Sequence, residues 1–485
     1  MSQLLNCKAC MSDDHDKCSN PETCLCAVET EHNTTSISIP ESRYEIDDTP
    51  SRRNDKRSEK KDFGNDEYHY IADEILDSNW FKTLRDSKKI WYWDRVTGLY
   101  LPNGESYIEE LVEKITDEAQ IKTRNEVIAI IKSKTYINSD EFFNSDYITS
   151  LDGVLDPNTF ENLGHAPDLY STQKLPFNIE SEAKNYKLWR HILTIIDPRD
   201  INLLMELIWI CISRKNPFKK LFIFMGLTNT QKSTLADIIA WIVGEENVSR
   251  VKPQKFLSKN SKYDTSHFVG KSINIASEIG NLSKEEIESL KGLVGAEKQY
   301  AEKKNDNTAY VFDPNKFVFL FTTNELGGVY ANIDDNSTIT RLQFMIFRNQ
   351  INEFDADGLW YDNFFTDEDD KQDAIDTIVR LVIAYKKKKI KTKWSSVADT
   401  KAILKHNMPL DDKYFTDSRI VPKQNSQLTI DEIKKDFEGF TGHTIDNQKM
   451  GYILKKNGIK TTKSNGKTVI KNYSFRTEDN ISSLI

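Results

Sequence analysis

The chain has 485 residues, 38% hydrophobic and 29% charged, with 66 basic against 75 acidic side chains and a formal net charge of −9. A prior of roughly 150 residues per domain suggests about three units, and 24 Phe, 19 Tyr and 8 Trp are enough to fill their cores. No stretch approaches the ~20 uncharged apolar residues of a membrane span, the first residues are polar where a secretory signal would be apolar, and the acidic balance argues against DNA wrapped over the whole surface. The expectation is a soluble, intracellular chain, cytoplasmic and without a membrane partner, whose basic residues are confined to a channel or one small module.

Residues 1–32 hold Cys7, Cys10, Cys18, Cys24 and Cys26 with His15 and His32, while Cys211 stands alone far downstream. A disulfide scaffold spreads its cysteines through the fold, so the cluster suits a metal better. Zinc takes four N/S ligands in a tetrahedron, and the Cys7–Cys10 spacing supplies two of them from one turn. Asp13, Asp14 and Asp16 add negative charge, and spacing leaves open which four of the seven would ligate. Residues 33–62 are polar, charged and poor in apolar side chains, the composition of a flexible linker.

From residue 63 to 182 a globular α+β pattern is expected. Ile71, Ile75, Trp80 and Phe81 suggest a helix. Trp91, Tyr92 and Trp93, then Gly98, Leu99 and Tyr100, suggest two strands across a turn. Residues 107–131 read as helix, and the turn-rich stretch 150–157 closes the unit. Residues 183–213 are helical in pattern. Lys219 and Lys220 lead into an apolar run at 221–225, followed by a glycine and a helical period over 235–243. Further apolar runs at 272–276, 317–322 and 343–347 alternate with helical segments, as in a parallel sheet covered on both faces. An α/β domain over 183–395 follows. Its lysine-rich end, 386–393, terminates a helix beginning near Asp373 and reads as a solvated face. Over 396–485, helices at 429–440 and 446–456 with Gly442 between them precede a basic hairpin at 460–475 that turns at Ser464, Asn465 and Gly466, the outline of a winged helix.

The residues that carry chemistry begin at Gly226, after the apolar run: Leu227, Thr228, Asn229, Thr230, Gln231, Lys232, Ser233 and Thr234 open the next helix. This is the context of a phosphate loop, in which backbone N–H groups and a helix N-terminus face phosphates. Lys232 would neutralise the β- and γ-phosphates of ATP and Ser233 would ligate Mg²⁺. Gln231 stands where the pattern has glycine. Downstream, Glu278 ends one apolar run and Asn324 another, positions suited to polarising or holding water. Arg341 precedes a third run and is a candidate finger for the nucleotide of a neighbouring subunit.

Phosphate loop, strand-end glutamate, the Thr322, Thr323, Asn324 run and the Thr340, Arg341, Leu342 run, in this order within about 115 residues, resemble superfamily three helicases, specifically the helicase part of phage, plasmid and poxvirus primase-helicases. The stretch through Lys291, Gly295, Glu297, Lys303 and Lys304 resembles the segment in which that family carries a channel hairpin gripping single-stranded DNA, so the resemblance implies Lys298, Lys303 and Lys304 as DNA contacts. Ala296 and Glu297 depart from the usual Gly-Asp, and Ser277 stands where other branches have an acid. Asp152, His165, Asp168 and Pro176 lie in motifs similar to the accessory domain upstream of such helicases. The resemblance implies a multidomain fold: an α/β AAA+-like P-loop ATPase core with an N-terminal α+β accessory domain and a C-terminal winged helix. It also implies a homohexamer acting on single-stranded and forked DNA in the replication of a mobile element, plasmid or virus. Residues 1–62 are too short for a primase polymerising domain, so a separate primase or other replication proteins are expected partners. In the winged helix, Asn447, Gln448, Lys449, Lys455 and Lys456 on the second helix and Lys463 and Lys467 at the wing suit base edges and phosphates. The competing readings are an ATP-switched replication initiator or scaffold with little unwinding, and a defence or signalling ATPase.

Overall fold

The computed structural model describes residues 65–116, 120–143, 145–257, 267–279, 284–295, 299–303, 306–324, 335–350, 364–406, 408, 413–415, 419–456 and 459–476. The zinc candidates Cys7, Cys10, His15, Cys18, Cys24, Cys26 and His32 lie outside them, as do Lys298 and Lys304.

The described chain starts with α1 (Asn65–Ser78), then β1 (Phe81–Leu84), β2 (Ile90–Asp94) and β3 (Leu99–Leu101), α2 (Gly104–Ile115), α3 (Ile121–Lys134) and β4 (Tyr136–Ile137). These strands form one sheet in the order β3-β2-β1-β4, with only β4 parallel to its neighbour. Helical spacing collects Ile71, Ile75, Ile108, Val112, Val127 and Ile131 into a core with Phe81 and Ile90. Trp93, Tyr100 and Phe142 form a second, aromatic cluster. The single helical run expected over 107–131 is two helices, because Thr116 leaves the helix in extended backbone (φ −125°, ψ 118°). The turn at 150–153 joins the two-residue strands β5 (Ile148–Thr149) and β6 (Val154–Leu155). Asp152 pins it, accepting from Ser150 Oγ at 2.8 Å and from the N–H groups of Ile179 and Glu180 at 2.7 and 2.9 Å.

The middle of the chain is a five-stranded sheet, all parallel, in the order β13-β7-β12-β9-β8. Its strands are β7 (Leu221–Gly226), β8 (Val248–Ser249), β9 (Ile273–Ser277), β12 (Val318–Thr323) and β13 (Leu342–Phe347). A separate antiparallel hairpin, β10 (Gln299–Lys303) and β11 (Asp306–Phe312), lies between β9 and β12 in sequence. Successive side chains of β7 feed opposite layers: Phe222 and Phe224 enter one core, Leu221, Ile223 and Met225 the other. Both faces are covered, which is why these strands read as unbroken apolar runs. The helices here include α4 (Lys187–Ile195), α5 (Ile201–Ser213), α6 (Lys232–Val243), α7 (Lys284–Val294), α8 (Asn336–Ile339), α9 (Glu368–Lys387) and α10 (Val397–His406). α5 is buried around nearly its whole circumference, as its apolar composition requires. Ile148, Leu155, Leu175 and Phe177 share the first core and Leu404 and Met408 the second, so packing is continuous across residues 182 and 395.

One lysine of the 386–393 run is not a solvated surface charge. Lys386 donates to both carboxylate oxygens of Glu206 at 3.0 and 3.1 Å, and Thr392 Oγ1 adds a third bond at 3.0 Å. Glu206 is 3% exposed. Removing the ammonium strands a buried carboxylate, so Lys386→Met is expected to destabilise the chain by about 2–3 kcal/mol in denaturant unfolding, less than for a fully buried pair because Lys386 is partly exposed. Glu206→Gln with Lys386→Met should recover part of that loss.

At the C-terminal end, β14 (Ile420–Thr429) leads into α11 (Ile430–Thr441) and α12 (Asn447–Lys456), followed by β15 (Thr461–Ser464) and β16 (Lys467–Phe475). β16 lies between β14 and β15, antiparallel to both. Thr429 and Glu432 close a capping box at the start of α11, and Gly442, at φ +73°, ends it. The two helices and the hairpin expected here are present. β14 is not marked in the sequence: its run Pro422 to Asn425 is exposed, without the alternation that marks a half-buried strand.

Candidate functional site

Because the five central strands are parallel, their C-terminal ends share one edge, where open α/β sheets bind ligands. Met225 pairs with Thr323, Gly226 with Phe347, and Thr322 with Ser277. Gly226, Asn324 and Glu278 therefore stand at or just beyond the ends of β7, β12 and β9 along that edge. Two strand spacings, about 10 Å, separate β7 from β9.

The loop from Gly226 to α6 is shaped by close approach and by backbone handedness. A Cβ on Gly226 would lie 2.3 Å from the Phe347 carbonyl oxygen, so only glycine lets β7 pass the end of β13. Asn229 and Gln231 both sit at φ +61°. The left-handed backbone that the glycine of the motif provides is thus retained with glutamine in its place, at a cost of about 1–2 kcal/mol. Thr230 Oγ1 donates to the Leu227 carbonyl at 2.8 Å and tightens the loop. Lys232, the first residue of α6, is buried, and its ammonium donates to the carbonyls of Gly226 (2.8 Å) and Leu227 (2.5 Å) and to Thr230 Oγ1 (3.1 Å). Burial holds its pKa below the usual lysine value. Ser233 is exposed and Thr234 half-buried in the first turn of α6.

Two other elements reach this loop. Asn324 Nδ2 donates to Thr228 Oγ1 at 3.3 Å, and Gln350 Nε2 donates to the Thr228 carbonyl at 3.0 Å. The segment carrying Gln350 is tied down by Arg348 on Asp197 (3.0 Å) and Asn349 on the Thr194 carbonyl (3.1 Å). His191 on α4 is half-buried, and burial lowers its imidazole pKa. Gln350 has no counterpart in the sequence pattern, because nothing in its neighbouring residues marks it. Glu278 is exposed at φ +58°, its N–H donating to the Thr322 carbonyl at 2.6 Å. A glutamate held left-handed is strained, a condition concentrated at functional sites.

The remaining candidates stand apart from the loop. Arg341 precedes β13 at the opposite edge of the sheet, where its carbonyl accepts from Leu221 N–H at 2.8 Å. The length of β7, six residues from Leu221 to Gly226 and about 17 Å from end to end, separates it from the loop of its own chain. Arg341 Nη1 donates to the Ser337 carbonyl at 2.5 Å. Lys303 ends the first strand of the hairpin, opposite Asp306. Asn447, Gln448 and Lys449 are exposed at the start of α12, where Asn447 Nδ2 donates to Asp431 at 3.3 Å. Lys455 is exposed near the end of that helix. Lys463 and Lys467 are exposed beside the tip of the β15–β16 hairpin, which turns through Asn465 and Gly466 at φ +50° and +74°.

The profile of a family described as "Family of unknown function (DUF5906)" matches residues 224–341, from β7 through Arg341. No curated protein matches the chain. Among solved structures, the A form apo structure of the NrS-1 C-terminal region (305–718) is 13% identical with a TM-score of 0.39, covering 84% of this chain and 100% of that one. Another apo structure of the same region is 12% identical with a TM-score of 0.38, covering 84% and 99%. Among the described residues no helix is long and apolar enough to cross a membrane.

Proposed function

We propose that the chain is an ATP-dependent DNA helicase of the superfamily three kind, with an AAA+-like P-loop core, the α+β unit as accessory domain and the C-terminal unit as a winged helix. The observation that carries the proposal is the loop of Lys232, with its left-handed backbone at Asn229 and Gln231, bonded through Thr228 to Asn324 at the sheet edge that Glu278 also occupies. Asn229 and Gln231 turn the loop so that backbone N–H groups at the start of α6 can face an anion. Lys232 already gathers three oxygen acceptors, which phosphate oxygens can replace, and the exposed Ser233 hydroxyl is open to a cation. These donors fit ATP with Mg²⁺, which together supply the phosphoanhydride bond and charge neutralisation of phosphoryl transfer. Glu278 orients the attacking water, Asn324 holds it, and Arg341 reaches the nucleotide of the adjacent subunit in a homohexamer. Lys303 and Lys304 contact one DNA strand in the channel, and Asn447, Gln448, Lys449, Lys463 and Lys467 contact duplex DNA.

The purified chain with ATP and forked DNA should form six-fold rings and separate strands. Lys303→Ala/Lys304→Ala should lose DNA-stimulated hydrolysis and unwinding, by about tenfold or more, while keeping DNA-independent hydrolysis. A double variant that unwinds normally, in a protein whose hydrolysis ignores DNA, would sink the helicase reading. ATP-dependent assembly on DNA without unwinding would favour the initiator reading.

A further inference from the structure

We infer that Asp335 is a positioning residue for Arg341, acting through α8, an inference that rests on the shared-site reading above. α8 has only four residues, and its two ends are held differently. At the far end Ile339 is buried in the second core, Arg341 N–H donates to the Thr338 carbonyl at 2.9 Å, and the Arg341 carbonyl accepts from Leu221 N–H at 2.8 Å. The near end depends on the side chain of Asp335, which caps the helix. One carboxylate oxygen accepts from Ser337 N–H at 2.9 Å and from Ser337 Oγ at 2.5 Å. The other accepts from Thr338 Oγ1 at 2.7 Å and from Lys291 Nζ, on α7, at 3.3 Å. The Ser337 and Thr338 hydroxyls hold this carboxyl below the usual carboxylate range, which keeps it an acceptor at neutral pH.

The Arg341 side chain turns back onto this same turn of helix. Its Nη1 donates to the Ser337 carbonyl at 2.5 Å. Asp335 therefore holds Ser337 by its N–H and hydroxyl, and Ser337 holds the guanidinium by its carbonyl. A helix of one turn has no second turn to keep Ser337 in place once the cap is lost. The backbone of Arg341 is fixed separately, by Leu221 and Thr338, so losing the cap alters the direction of the guanidinium and leaves the residue where it is. The ion pair to Lys291 is the smaller part of the effect, because both side chains are about a third exposed. Arg341 stands at the sheet edge opposite the loop of Lys232, so the consequence falls on a neighbour's nucleotide and spares ATP binding by the chain itself.

The test uses full chains, with Mg²⁺ and ATP as probe, and follows direct binding, steady-state hydrolysis and thermal melting. Asp335→Ala should lower kcat by about tenfold, the worth of a lost cap with its hydroxyl bonds, and change ATP affinity by less than about twofold. Asp335→Asn keeps an acceptor for the Ser337 N–H and should recover most of that loss, and Lys291→Met should change kcat by less than about twofold. Mixing variants gives a readout that a merely structural role would not move. Each shared site joins one subunit's loop to its neighbour's arginine, so Asp335→Ala mixed with Lys232→Ala should hydrolyse severalfold faster than the average of the two alone. Mixed with Arg341→Ala it should show no gain. The inference is overturned if Asp335→Ala keeps the parental kcat or gains with Arg341→Ala. It is also overturned if Asp335→Ala gains with neither partner while Lys232→Ala and Arg341→Ala complement each other. Thr338→Val, which removes one bond to Asp335, should lower kcat by about threefold with the same pattern of gains, and it decides the question if Asp335→Ala does not fold. A parent that binds no ATP, or Arg341→Ala with full activity, overturns the shared-site reading as well.

Discussion

Lys232→Ala is expected to weaken Mg-ATP binding by about a hundredfold or more and to abolish hydrolysis and strand separation. The physical reason is charge. The lysine is the only cation bonded inside the loop among the described residues, and its three contacts there are oxygens of the loop itself. An incoming triphosphate offers those same donors stronger, anionic acceptors, so the exchange favours binding. Alanine removes the cation and leaves the loop carbonyls facing each other. Lys232→Arg should not rescue, because a planar fork cannot reproduce a point charge in a cradle of this size. The fold should survive, since the core side chains of α6, Leu235, Ile238, Ile239 and Ile242, are untouched. The check is ATP affinity by calorimetry with thermal melting alongside. A variant that melts like the parent and still binds ATP normally would remove the site from the loop.

Arg341→Ala is expected to lower hydrolysis by about a thousandfold while leaving ATP binding to the isolated chain nearly unchanged. The split follows from position. Arg341 and the loop are at opposite edges of one sheet, so in a single chain the guanidinium is too far away to touch a nucleotide held at Lys232. Only a neighbouring subunit can bring it there. Mixing inactive Arg341→Ala with inactive Lys232→Ala should therefore restore part of the hydrolysis, because some interfaces then combine an intact loop with an intact arginine. Full activity in Arg341→Ala alone, or no complementation in the mixture, would exclude a shared site.

The elements that could be read along the chain are those whose cause is local. β7, β9, β12 and β13 are unbroken apolar runs because both sheet faces are covered, and burial on both faces writes itself into every position. Strands β8 and β14 leave no comparable trace: one has two residues, the other is exposed through its middle. The lysine run at 386–393 reads as a solvated face, yet Lys386 turns inward to Glu206, a partner 180 positions away. A long-range ion pair has no local signature.

Within the site the same boundary holds. The order of residue types along the chain (glycine, lysine and serine, then a glutamate, an asparagine and an arginine) is enough to nominate Gly226, Lys232, Ser233, Glu278, Asn324 and Arg341, because each chemical role demands a particular side chain at a strand end or helix start. That same order singled out Gln231 as a departure and could say nothing of its consequence. Only folding shows that its backbone remains left-handed, that Glu278 is left-handed too, and that Gln350 and Asn324 converge on Thr228 of the loop from two separate segments. Strand pairing alone decides that Arg341 is turned away from its own loop. Residue type is a local property that selection writes one position at a time, whereas handedness, strand neighbours and contacts between residues 96 and 122 positions apart exist only once the sheet has closed.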